Sequence, residues 1–299
     1  MISQKAIFEK AILNKNQTTV VTCPYDNETI EAVIDAIKFD LCSFIFVGQA
    51  NKINEVITST ELTKNNIKVV DADNDIDAAK KTMQLLKSKE ANVLMKGLID
   101  TSVLLKELLK RENELRTNRL LSHVGLLTKD GKKSYFVTDP ALNIAPSLEQ
   151  KVDIINNAVL VANELGLEKP VVANLCAKEK VYDKMPATLD AKKLQEMNQE
   201  GLIKNCLVSG PLQLDNAVSV EACKTKGVSD LAGGKADIFM CPFIEVGNAL
   251  AKGMKYLAGY EFSGVVVGAK IPIVLVSRAD NANEKLLSIA MANCIPVYE

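Results

Sequence analysis

The segment PIVLVSRADNANEKLLSIAMA, Pro272 to Ala292, carries both signals of an alternating α/β chain in one short span. Ile273–Val276 is a continuous apolar run, which suits a strand covered on both faces. The run stops at Ser277-Arg278-Ala279-Asp280, and a second apolar pattern with helical spacing starts at Leu286. Between them, Asn281-x-x-Glu284 reads as a capping box. A hydroxyl, a guanidinium and a carboxylate thus meet where a buried strand gives way to a helix. In open α/β sheets, ligands bind in the crevice outside such strand ends.

The same alternation runs along most of the chain. Strands are expected at 42–48, 67–72, 92–97, 134–139, 170–175, 206–211, 236–242, 264–268 and 271–277. Between them lie amphipathic segments such as ETIEAVIDAIK and TSVLLKELLKRE. Ser147-x-x-Gln150 opens one helix that closes at Gly166, and Thr188 opens another that stops at Gly201. The pattern predicts an α/β fold with largely parallel sheets and flanking helices. About nine strands exceed what one small open sheet usually carries. The polar turn Leu127–Tyr135 is the expected domain boundary.

Composition narrows the function. Lys and Arg number 36 against 37 Asp and Glu, a net charge of -1, so no global field recruits nucleic acid or an anionic membrane. The amphipathic start, MISQKAIFEKAILNKNQ, lacks the apolar core of a signal peptide, and no run reaches membrane-spanning length. A cytoplasmic protein is expected. Seven cysteines, an odd count with no Cys-x-x-Cys, sit mostly in apolar segments and read as buried reduced thiols. With His123 the only histidine, a zinc site has little to draw on, and no carboxylate cluster suggests another metal.

No Gly-x-Gly-x-x-Gly follows a candidate strand, and no Gly-x-Ser-x-Gly elbow exists. What remains is polar residues at the carboxyl ends of apolar runs: Lys96-Gly97 then Thr101, Ser122-His123, Thr138-Asp139, and Ser277-Arg278-x-Asp280. Each has a purely structural reading, Thr101, Asp280 and Asn281 as helix caps above all. Their recurrence, with an arginine between strand and helix, points to an anion pocket.

The blocks MKGLIDTSVLLKELL (95–109), LSHVGLL (121–127), MPATLDA (185–191), GPLQLDNAVSVEACKTKGV (210–228), AGGKADIFMCPFIEVGNALAKGMKYL (232–257) and VGAKIPIVLVSRADNANEKLLSIAMA (267–292) carry a resemblance. Taken together and in this order, they resemble the phosphate acyltransferases, most closely the phosphate butyryltransferase branch. The resemblance implies a two-domain fold of the isocitrate/isopropylmalate dehydrogenase type with an interdomain cleft. Residues 1–129 with 281–299 would form one domain and 130–280 the other. It also implies a homodimer or higher homo-oligomer with no permanently bound cofactor, whose substrates are CoA, acyl-CoA, phosphate and acyl phosphate.

The implied reaction is reversible transfer of a short acyl group, butyryl or branched-chain before acetyl, between CoA and phosphate. The CoA thiol attacks the acyl phosphate as its thiolate, which calls for a nearby carboxylate base. Arg278 suits the phosphate, because its planar fork pairs two oxygens at once. Ser277 would donate to the phosphate or the carbonyl oxygen. The catalytic aspartate of the acetyl-transferring relatives falls at Glu284, and the butyryl branch also carries Asp280. Alignment alone leans to Glu284, and geometry decides between them, because a capping-box Glu284 would point back at the helix end. Lys96, Gly97, Thr101 and Lys106 would complete the substrate pocket, with lysine at 106 where those relatives have arginine. Ser122 and His123 fit the butyryl branch, His123 being equally readable as a core residue. Asp215 and Asn248 recur in both branches and could equally cap helices. Two rivals stand beside this reading: a non-catalytic CoA-binding or regulatory homologue, and a metal- and NAD-dependent decarboxylating dehydrogenase on the same scaffold.

Overall fold

The computed structural model describes residues 2–14, 17–58, 60, 62, 67–228, 232–277 and 279–298. The chain begins α1 (Gln4–Leu13), β1 (Thr18–Thr22), α2 (Asn27–Lys38), β2 (Ser43–Gly48), α3 (Ala50–Thr58), β3 (Ile67–Asp71). It continues α4 (Asp75–Lys87), β4 (Val93–Lys96) and α5 (Thr101–Leu108). A middle run follows: β5 (Ser122–Thr128), β6 (Tyr135–Thr138), α6 (Leu148–Glu164), β7 (Val171–Leu175), α7 (Pro186–Gln199), β8 (Leu207–Leu212). It closes with α8 (Leu214–Val218), α9 (Val220–Lys226), β9 (Ile238–Met240) and α10 (Ile244–Tyr256). The last elements are β10 (Glu261–Val267), β11 (Ile273–Val274) and α11 (Ala282–Asn293).

Two compact units result, one from Gln4–Arg119 with Ser263–Glu299, the other from Met1–Ser3 with Leu120–Phe262. In the first unit, β3, β2, β1, β4 and β11 lie side by side and parallel. Strand β10 then pairs antiparallel with β11 through Val266 and Ile273. The inner parallel strands are buried on both faces, while the edge strand β3 is partly exposed. Val20, Val21, Phe46, Leu94, Met95 and Ile273 are buried throughout. Helix α11 packs against α1, α2 and β11, and every residue from Glu284 to Asn293 is buried.

In the second unit the order is β5, β6, β9, β7, β8, with only the β5–β6 pair antiparallel. Leu127, Val137, Ala173, Leu212 and Phe239 form its core together with Ala217 and Ala251 from the covering helices. The Ser147–Gln150 capping box opens α6 as its spacing predicts.

All nine expected strands are present, and two more, β1 and β5, are found among the described residues. Strand β1 is rich in threonine and β5 is interrupted by His123 and Gly125, so neither shows a long apolar run. The segment Leu127–Tyr135 is a hairpin turn inside the second unit, with Leu127 paired to Tyr135. The units therefore divide at 119/120 and 262/263, where the sequence reading set 129/130 and 280/281. Thr188 does not open α7: Pro186 is its first residue, and the Thr188 hydroxyl donates back to the Met185 carbonyl at 2.8 Å. The final strand is also shorter than its apolar run, because only Ile273 and Val274 join the ladder.

Candidate active site

Strands β1, β4 and β11 run parallel, so their carboxyl ends lie on one edge of the first unit. After β11 the chain leaves the ladder and makes a tight polar turn. The Ser277 amide donates to Asp280 Oδ2 at 2.7 Å, and the Asp280 amide donates to the Ser277 carbonyl at 3.2 Å. The Ala279 amide donates to Ser277 Oγ at 3.3 Å. Ser277 is exposed while Asp280 is only 6 % exposed. Arg278 lies outside the described residues.

Asn281 then caps α11, its side chain accepting from the Glu284 amide at 2.9 Å. In return Glu284 Oε2 accepts from the Asn281 amide at 3.1 Å. The capping box predicted from the sequence is thus formed, and Glu284, 2 % exposed, turns back to the helix end. Asp280 and Glu284 each commit one oxygen to a backbone amide of this turn.

Beside the turn is a small recess of about 30 Å³ lined by Lys96, Gly97, Val276, Ser277 and three residues the sequence reading passed over, Asp26, Thr29 and Lys285. Lys96, 7 % exposed, ends β4 and donates to the Gly97 carbonyl at 2.9 Å and the Ile99 carbonyl at 3.1 Å. Gly97 is a close-approach glycine: a Cβ there would lie 2.8 Å from the Thr22 carbonyl oxygen at the end of β1. Lys285, also 2 % exposed, reaches Asp26 Oδ1 at 2.8 Å. Asp26 caps α2 by accepting from the Thr29 amide and hydroxyl at 2.9 and 2.8 Å. Burial pushes the Asp26 carboxyl up, but the hydrogen bonds from Lys285 and Thr29 outweigh it and hold the group below the ordinary carboxylate value. Signals for these residues were present: Asp26-x-x-Thr29 is an N-cap spacing, and Lys285 stands directly before the apolar pattern that starts at Leu286.

The remaining predicted residues are elsewhere. Thr101 is the first residue of α5, following Asp100 at the cap position, and Lys106 is exposed on the same helix. Neither lines the recess. In the second unit, Ser122 Oγ and the Asn157 side chain are 2.9 Å apart. His123 stacks on Phe262 with ring centroids 6.1 Å apart, and its amide donates to Asp139 Oδ2 at 3.0 Å. Asp139 also accepts from the amides of Ala141 and Leu142, so it organises the loop after β6. Asp215 is exposed and pairs with Lys226 at 2.6 Å. Asn248, exposed on α10, donates to the Pro140 carbonyl at 3.1 Å.

Residues 72–293 match the family described as phosphate acetyl/butaryl transferase. The chain belongs to this family. The phosphate butyryltransferase of Clostridium acetobutylicum is 40 % identical over 287 residues, covering 96 % of this chain and 95 % of that one. The crystal structure of a branched-chain phosphotransacylase from Enterococcus faecalis superposes with a TM-score of 0.83 at 33 % identity, covering 93 % of this chain and 98 % of that one. A 4-hydroxythreonine-4-phosphate dehydrogenase from Burkholderia phymatum, 12 % identical, covers 94 % of this chain and 98 % of its own with a TM-score of 0.54. That last likeness is one of fold alone, and it agrees with the dehydrogenase-type architecture expected from the sequence. The matched span takes in Lys96, the positions from Ser277 to Glu284 and Lys285, but not Asp26.

Proposed function

We propose that this phosphate acyltransferase moves a butyryl or branched-chain acyl group between CoA and inorganic phosphate, at the turn that follows β11. The turn supports the reading: Ser277 is exposed and tied to Asp280, with Glu284 one helical turn on and the Lys96 recess beside it.

In the acyl-CoA-forming direction a carboxylate of the turn takes the proton of the CoA thiol. The thiolate attacks the acyl-phosphate carbonyl, the C–S bond forms, and the C–O bond to phosphate breaks. We assign the base to Glu284 from its alignment with the catalytic aspartate of the acetyl-transferring relatives. To reach the thiol its carboxylate must swing out of the capping-box bond to the Asn281 amide, while Asp280 holds the turn that presents Ser277. A free thiol has a pKa of about 8.5, so a base is needed near neutrality. Ser277 donates to the carbonyl oxygen as it gains charge, a contribution of about 3 kcal/mol. Arg278 pairs with the phosphate oxygens and neutralises the charge that leaves with the phosphate. CoA and phosphate come and go as substrates. The working form is a homodimer or larger even oligomer in the cytoplasm, which light scattering of the purified protein tests for mass.

The deciding experiment is phosphate-dependent release of CoA from butyryl-CoA, isobutyryl-CoA and acetyl-CoA, for wild type and Arg278→Ala. Faster release from the four-carbon substrates, abolished in the variant, is the expected result. Bound CoA without release from any of the three would return the chain to a binding or regulatory role.

A further inference from the structure

The ammonium of Lys285 poses an unsolved hydrogen-bond count. It is buried, and a lysine has three N–H donors to place. Among the described residues its one hydrogen-bond partner is Asp26 Oδ1. Buried donors without acceptors are costly, so the two donors that no described residue takes up call for an acceptor that can enter the recess. Lys285 lines the same recess as Lys96 and Ser277.

The charges agree with the geometry. Two ammonium groups and one carboxylate line the recess, leaving it cationic. The carboxylate, Asp26, is already engaged by Thr29 as the cap of α2, so it faces the helix it caps as well as Lys285. The Asp280 and Glu284 carboxylates stand in the adjoining turn, outside the lining. A cationic recess with N–H and O–H donors converging from β4, the Ser277 turn and α11 suits a small tetrahedral oxyanion.

We propose that Lys285 is a phosphate-binding residue, with Asp26 orienting its ammonium so that the two unspent donors meet the phosphate oxygens alongside Lys96 and Ser277. The proposal rests on the acyltransferase reading and assigns one subsite within it. Asp26 is then a positioning residue, acting through Lys285.

The test separates this role from a merely structural ion pair. A structural pair fails in the same way whichever partner is lost. A phosphate ligand and its orienting carboxylate do not. Lys285→Met and Lys285→Gln should raise the KM for phosphate roughly ten- to a hundredfold, as loss of a charged hydrogen bond does. The KM for acyl-CoA should change by no more than about twofold, since those variants leave uniform binding of the other substrate intact. Lys285→Arg should recover most of the phosphate affinity. Asp26→Asn keeps an acceptor oxygen for both the Thr29 amide and the Lys285 ammonium, so the ammonium stays oriented while a negative charge near the anion is removed, and phosphate affinity should stay level or tighten.

Weaker phosphate binding in Asp26→Asn, matching the Lys285 variants, would overturn the proposal even if Lys285→Met failed to fold. So would unchanged phosphate binding in a folded Lys285→Gln. Calorimetry of inorganic phosphate with the CoA-free protein reads the subsite without turnover. Phosphate bound by wild type and lost in Lys285→Gln, in a protein that releases no CoA, would sink the acyltransferase reading while leaving the subsite in place.

Discussion

Ser277 and Asp280 hold each other from both directions, amide to carboxylate at 2.7 Å and amide to carbonyl at 3.2 Å. The hydroxyl of Ser277 is therefore presented by a turn that a buried carboxylate closes. Asp280→Asn keeps an acceptor for the Ser277 amide, whereas Asp280→Ala removes it. Asp280→Ala should lose much of the acyl-transfer rate and Asp280→Asn far less, in an assay of CoA release. Equal losses would move the base from Glu284 to Asp280.

Glu284→Gln tests the base directly. Glutamine serves the capping box as well as glutamate does, so α11 should keep its start and its melting temperature. Removing a general base costs about a hundred- to ten-thousandfold in rate. The expected result is a drop of that order in kcat with native circular dichroism. A variant retaining most of its kcat would rule out the assignment.

Gly97 stands where β4 meets the end of β1. An alanine methyl 2.8 Å from the Thr22 carbonyl oxygen must displace backbone rather than a flexible side chain. Gly97→Ala should destabilise the protein by about 1–3 kcal/mol, the usual cost of overpacking. Urea denaturation would show it, and an unchanged midpoint would mean the strand ends can part.

The Asp26–Lys285 pair should leave a mark on acid stability. Its carboxyl is held below the ordinary value of 3.8, so the pair contributes fully above that pH and fades as the pH falls through the lower folded value. The stability gap between wild type and Asp26→Asn should be widest above pH 3.8 and close below it. Denaturation midpoints across an acidic series would reveal a constant gap if the carboxyl were not depressed.

The cysteines give a chemical check on burial. Desolvation raises Cys23, Cys176 and Cys241 to about 12, so almost no thiolate exists near neutrality. Ellman's reagent at pH 8 should react slowly with the native protein at these positions, and with all seven thiols once it is denatured. Rapid labelling of Cys241, buried just after β9, would show that the β9 end opens.

Much of this architecture was legible because parallel strands covered on both faces write themselves as apolar runs. Strand β1 escaped that rule, since its buried polar side chains are satisfied in pairs, as in the 2.9 Å contact between the Thr22 and Thr82 hydroxyls. The turn at Ser277 was readable because its partners are local, a strand end, a cap and a capping box. Asp26 and Lys285 are 259 residues apart, and each alone looks ordinary: an N-cap aspartate and a helical lysine. Their meeting depends on α11 packing against α2, which no local pattern encodes.

That packing has a consequence for biosynthesis. Strand β4 leaves the ribosome long before β11, the neighbour that covers its far side, because the whole Leu120–Phe262 unit is translated between them. At about 5–20 residues per second, that edge waits on the order of ten seconds or more for its partner. The interrupting unit is, apart from three terminal residues, continuous and can close while the earlier one stands open. Nascent chains stalled with residue 262 just clear of the ribosome should therefore protect the middle segment from protease and leave residues 4–119 cleavable, so the turn at Ser277 is among the last parts of the molecule to take shape.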